Sequence, residues 1–117
     1  MTPGPVRIHV AVDLLADTTP VRLEAHLRAS VRRDELASAF VSHAPALGLF
    51  SQGRTEREAI RAIENAVRLY FVTAHDHGFL HRILARLDAE RTSDDVAAAE
   101  DYVRILDLRA PVAAAAP

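Results

Sequence analysis

The sequence has no cysteine among its 117 residues. A structural disulfide and a cysteine-ligated zinc are therefore excluded, and a reducing compartment is compatible with the chain. A basic surplus is missing as well. Arginine and lysine number 14 against 16 aspartates and glutamates, for a formal net charge of −2 and a pI of about 6.3. A protein that holds nucleic acid mainly through phosphate contacts carries a basic face, so binding dominated by such contacts is not expected. No apolar run approaches the ~18 residues that a membrane span needs. Met1-Thr2-Pro3-Gly4-Pro5 lacks the charged and apolar regions of a signal peptide, and the cytoplasm is the expected location. No glycine-rich phosphate loop follows a strand, and Ser42-His43 and Ser51 form no nucleophile motif.

What is present is a globular composition: 50% of residues are apolar and 26% charged. A chain of this length buries roughly 65% of its unfolded surface, enough for one core. Residues 1–110 read as one domain and 111–117 as an Ala/Pro-rich tail. Val6, Ile8, Val10, Val12 and Leu14 alternate with polar or small residues, the period of a half-buried strand. Val21, Leu23, Ala25, Leu27, Ala29 and Val31 repeat that period, and the short link through Asp17-Thr18-Thr19-Pro20 predicts an antiparallel hairpin. Shorter strands are expected at 37–43 and 49–52. From Glu56 the period changes. Ala59, Ile60, Ile63, Val67, Tyr70, Phe71 and Ala74 define one face of a long helix that Gly78 ends. Glu64 and Arg68 form an i, i+4 pair on its other face. A shorter helix is expected over 79–90, one capped turn at Thr92 or Ser93 running into 96–99, and a last strand over 102–108.

The segment from Pro45 to Ala59 is the most specific. It reads as a strand end, a glycine turn at Gln52-Gly53, and a helix start with Thr55 as N-cap and Glu58 as its reciprocal partner in a capping box. This order resembles the HicB-like antitoxin family, whose usual form is Pro-x-Leu-Pro-Gly, a short strand, Gln-Gly-x-Thr, then Glu-Ala opening a helix. The resemblance spans roughly Val21 to Leu87. It implies a small sheet of about three strands packed by one long helix; with the periods read above, the expected fold is a small α+β domain, an antiparallel sheet of three to five strands packed by one long helix and a shorter one. The resemblance also implies a non-catalytic module that binds and neutralises a HicA-like toxin, a small messenger-RNA interferase. Pro45, Leu47, Gln52, Gly53, Thr55 and Glu58 are the partner-binding positions it implies. The chain departs from the pattern in lacking the second proline, since Leu47 runs into Gly48, and in adding a strand before the family's first. The residues after Arg91 are too few and too acidic for a helix-turn-helix module, so DNA binding by the chain alone is not expected. A homo-oligomer is expected, a dimer or higher. The alternatives are a stand-alone homo-oligomer of this fold without a toxin, and a weak RNA-binding module.

Other candidate chemistry is thin. His77 and His81 have the spacing of a helical metal pair with Asp76 beside them, but Gly78 interrupts the helix that spacing needs. The cluster reads as a polar helix terminus. Asp13, Asp17, Asp34 and Glu35 read as solvated residues at strand ends and turns rather than a converging metal site for RNA cleavage. Arg22, Arg28, Arg32 and Arg33, with His26, occupy mostly one polar strand face, interrupted by Glu24 and with no aromatic stacking platform expected on it. Tyr70 and Phe71 read as core. No catalytic residue, metal or cofactor is assigned from the sequence.

Overall fold

The structure, a computed structural model, describes residues 4–93 and 101–108. Its elements are β1 (Gly4–Ala16), β2 (Thr19–Asp34), β3 (Ala39–Ala44), β4 (Leu49–Gly53), α1 (Glu56–Asp76), α2 (Leu80–Ser93) and β5 (Tyr102–Asp107). This is the expected α+β fold: a five-stranded antiparallel sheet with one long helix and a second, shorter one.

Alternation of side chains sets the sheet. In β2 every second residue from Val21 to Val31 is buried, and the residues between them are half-buried on the opposite face. β1 runs beside it in one unbroken register from Gly4↔Val31 to Ala16↔Thr19, so Ile8, Val10 and Val12 meet Leu27, Ala25 and Leu23 on the same face. The turn between them puts Asp17 at a φ of 58°, a left-handed conformation that aspartate tolerates better than most side chains. The other edge of β2 is divided. Ser30–Asp34 pairs with β3, while Val21–His26 pairs with β5. β4 adds to β3 and ends the sheet on that side.

Helix α1 covers one face. Ala59, Ile63, Val67, Phe71 and Ala74 are its buried residues, at steps of four and three, and Ile63, Val67 and Phe71 join the core formed by β1 and β2. Each such side chain contributes about 1.5–3 kcal/mol through burial. Phe71 is the largest fully buried one, and half-buried Tyr70 meets its ring edge-on at 5.7 Å. At the helix end, Phe79 N–H donates to Ala74 O at 2.7 Å and Gly78 N–H to His75 O at 3.1 Å. With Gly78 at a φ of 77°, these bonds make a Schellman stop, as the glycine predicted. Arg68 bonds Asn65 Oδ1 at 2.9 Å instead of the expected Glu64, because the shorter amide side chain lies one helical turn back on the same face.

Helix α2 starts at Leu80 and extends through Thr92 and Ser93, beyond the expected end at residue 90. The turn expected over 96–99 and the tail at 111–117 lie outside the described residues. Leu80, Ile83, Leu84 and Leu87 pack against the edge of the core together with Val103 of β5.

Thr55 Oγ accepts the Glu58 amide at 3.1 Å, as an N-cap should. Thr55→Ala is expected to lower stability by about 1 kcal/mol, and an unchanged denaturant midpoint would remove Thr55 from the cap. Ser42 is fully buried on the α1 side of β3, and its hydroxyl has no hydrogen-bond partner among the described residues. Leaving such a group unsatisfied costs about 1–3 kcal/mol. Ser42→Ala should therefore raise the denaturant midpoint at unchanged m-value, and a fall in the midpoint would show that the hydroxyl is bonded.

Candidate functional site

Two regions could carry function: the β3–β4–α1 junction and the uncovered face of the sheet. At the junction, the turn after β3 is closed by Leu47 N–H to Ala44 O and Gly48 N–H to Pro45 O, both 3.2 Å, with Gly48 at a φ of 65°. Leu47 points inward and is 7% exposed, while Pro45 lies on the surface. Gln52 projects from β4 to solvent. Gly53 lies directly under the start of α1, where a Cβ would fall 2.5 Å from Ala59 N. The Glu58 carboxylate accepts the amide of Arg54 at 2.9 Å, rather than that of Thr55. The box thus closes one residue earlier than expected, because Arg54 N–H is the donor that lies within reach of the first turn. Of the six residues singled out by the resemblance, Leu47 and Gly53 build the junction from within, Thr55 and Glu58 cap it from outside, and Pro45 and Gln52 present free surface.

The second region is the sheet face turned away from both helices. Its cross-strand rows are His9 and His26 with Tyr102, Ala11 and Glu24 with Arg104, Asp13 and Arg22 with Leu106, and Ser30 with His43 and Phe50. Two ring stacks stand on it. His26 is sandwiched between His9 at 4.2 Å and Tyr102 at 4.4 Å, and His43 lies on Phe50 at 4.1 Å. The face thus carries aromatic rings beside the arginines, against the expectation that it holds none. They are there because β4 and β5, remote in sequence, deliver Phe50 and Tyr102 to that face. Phe50 is 64% exposed.

Electrostatically the face is internally paired. Every cation of the chain is an arginine, whose planar fork suits carboxylates. Arg22 bonds Asp13 at 2.7 Å, Arg28 bonds Asp101 at 2.8 Å, and Arg104 bonds Glu24 at 2.8 Å. Asp101 also accepts the Arg28 main-chain amide at 2.6 Å. The hydrogen bond from Arg22 holds the Asp13 carboxyl below the usual carboxylate range, and that from Arg104 does the same to Glu24. Burial, followed by the neighbouring His9, pushes the His26 imidazole below the usual histidine value. His26 Nε2 is shut off from solvent and has no hydrogen-bond partner among the described residues.

The remaining candidates stay apart. His77 is the C-cap of α1, its Nδ1 lies 2.9 Å from Thr73 O, and His81 lies beyond Gly78 in α2. Asp13 sits within β1, Asp17 in the first turn, and Asp34 accepts the Leu36 amide at 3.1 Å in the second, so these carboxylates do not converge. Ser42 and His43 point to opposite faces, the former buried under α1 and the latter stacked on Phe50. Among the described residues no helix is long and apolar enough to cross a membrane. Comparison with protein-family models, with curated proteins and with solved structures finds no match to this chain.

Proposed function

We propose that this chain is a non-catalytic, HicB-like binding module whose partner is a small basic ribonuclease of the HicA toxin class. The observation that carries the reading is the continuous order β2, β3, β4, α1 with Gln52-Gly53-Arg54-Thr55 as the strand-to-helix junction, the arrangement the resemblance implies. The docking surface is the outer edge of β4 with Phe50 and Gln52, together with the acidic first turn of α1. Among the described residues β4 pairs only with β3, and an open strand edge is a template for a partner strand. Glu56 and Glu58 are exposed there among Arg54 and Arg57, so the turn offers a basic partner individual carboxylates rather than an acidic field. A stable complex needs about 1,600 Å² of buried surface in total, so the edge, the turn at Pro45 and the helix start must all contribute. Co-expression with a candidate toxin of this class should relieve growth arrest and yield a co-purifying complex. Glu56→Arg should slow association without changing the fold. Growth arrest that persists with both proteins present, and no complex on gel filtration, would sink the reading.

Single-stranded RNA is the weaker ligand for the open face. Tyr102 and Phe50 are already stacked on histidines, and Arg22, Arg28 and Arg104 already face carboxylates. Salt-sensitive binding of an RNA oligomer would favour it instead. A stand-alone homo-oligomer has its own support, since the outer edge of β1 has no neighbouring strand among the described residues. Light scattering should then report a dimer mass, and a monomer at micromolar concentration would exclude it.

A further inference from the structure

We propose that His9, Glu24 and His26 form a binding site for one divalent transition-metal ion of the zinc type on the uncovered face of the sheet. One ligand atom from each of the three residues lies within 4.8 Å of the others, and among the described residues this is the one such group of three. The backbone explains why they meet. His9 and His26 are direct cross-strand partners in β1 and β2, and Glu24 is two residues from His26, hence on the same face. The strands are held in one unbroken register over their whole length, so the three Cβ positions are fixed by the sheet rather than by a loop.

The donor set fits this class of ion. Two imidazoles and one carboxylate bind zinc with nitrogen at about 2.0–2.1 Å and oxygen at about 2.0–2.2 Å, leaving a fourth position for water or another ligand. Ligand atoms around a tetrahedral ion stand about 3.3 Å apart, and an imidazole binds through a lone pair in its ring plane, so the His9 ring, stacked at 4.2 Å on His26 and exposed, must turn out of the stack for the three to gather. Harder ions such as magnesium and calcium prefer oxygen donors and are poorly served by two imidazoles. His26 adds an independent sign. Its Nε2 is buried without a hydrogen bond among the described residues, a polar atom that an ion would satisfy. His9 is exposed, so the ion has a way in from solvent.

The site has a built-in competitor. Arg104 of β5 holds Glu24 at 2.8 Å, and Tyr102 of the same strand covers one side of His26. An entering cation must take Glu24 from the guanidinium. Metal binding and the hold of β5 on β2 therefore oppose each other at Glu24. Arg104 acts here through Glu24 and is not a ligand.

The test is zinc titration of the untagged, chelator-treated full chain by calorimetry, with the fold of each variant checked by circular dichroism. The expected result is saturable uptake of about one ion per chain. His9→Gln should weaken it at least roughly tenfold, the scale on which metal-site substitutions act. His81→Gln, at an exposed position on α2 outside the group of three, should leave it unchanged. Arg104→Gln, which frees the carboxylate, should tighten it. As a second readout, zinc should raise the melting temperature of the parent chain and not that of His9→Gln. Absence of saturable uptake, equal uptake by His9→Gln, or weaker uptake by a folded Arg104→Gln would overturn the proposal. The titration involves no protein partner, so its failure leaves the toxin-binding reading untouched, and a failed co-purification leaves the metal site untouched.

Discussion

Phe71→Ala is expected to lower the stability of this protein by about 3–5 kcal/mol. The ring is completely buried and is the largest such side chain in the structure. It belongs to the same core cluster as Ile8, Val10, Leu23 and Leu27, which come from both long strands, so its removal opens a gap that α1 alone cannot close. The sheet beneath is fixed by an unbroken ladder from Gly4 to Ala16, and relaxation into the gap is correspondingly small. The cost combines lost transfer free energy with a cavity term. Stability of natural domains is about 5–15 kcal/mol, so this one change consumes a large share of it. Chemical denaturation followed by far-ultraviolet circular dichroism is the measurement. A loss below about 1 kcal/mol would mean that α1 does not pack on the sheet through Phe71.

Gly53→Ala should be the most damaging single-methyl change at the junction. A Cβ at Gly53 would lie 2.5 Å from Ala59 N, 2.6 Å from Glu58 Cβ and 2.7 Å from Glu58 C. Two of these atoms are main chain in the first turn of α1 and cannot rotate away. The helix start must lift from β4, and overpacking of this kind costs about 1–3 kcal/mol or more. Gly48→Ala offers a contrast. Its Cβ would meet nothing within 4 Å, and only the positive φ of 65° opposes it. Its cost should be closer to 1 kcal/mol, the usual range for losing glycine in the left-handed region. If Gly53→Ala melts with the parent protein, the tight approach of β4 to α1 is absent.

The elements with a strong local rhythm were legible in the sequence. Burial alternates without a break from Val21 to Val31, and α1 buries residues at steps of four, so both were readable from apolar spacing alone. Gly78 and Thr55 were readable because helix termini have few chemical solutions. What could not be read was adjacency between distant segments. The placement of β5 on the edge of β2 opposite β1, in line with β3, depends on tertiary pairing that no period encodes. For that reason Tyr102 and Phe50 were not expected near the arginines, and His9 was not linked with Glu24 and His26. Glu58 also escaped in part, since whether its carboxylate takes the amide of residue 54 or 55 turns on backbone angles at Gly53 and Arg54. The carboxylate of Asp13 looked like a strand-end residue and is instead an inner member of β1, bonded to Arg22.

β2 is shared along one edge by two strands of very different origin. β3 follows it after a four-residue turn, whereas β5 returns from far downstream: Arg28 and Asp101 are 73 positions apart, and Glu24 and Arg104 are 80. Closing the larger loop costs more chain entropy, by about 0.6 kcal/mol for each doubling of its length. β1 to β4 and α1 are joined by contacts between sequence neighbours, and the sheet is complete only when β5 closes the longest loop onto β2. Until it does, the amides and carbonyls of β2 beside Val21 to His26 form an open slot of six residues. Any extended segment that fills that slot, from this chain or another copy, completes the same sheet. A strand exchanged between molecules at this slot would carry Val103, and with it part of the rim of the core, into the partner.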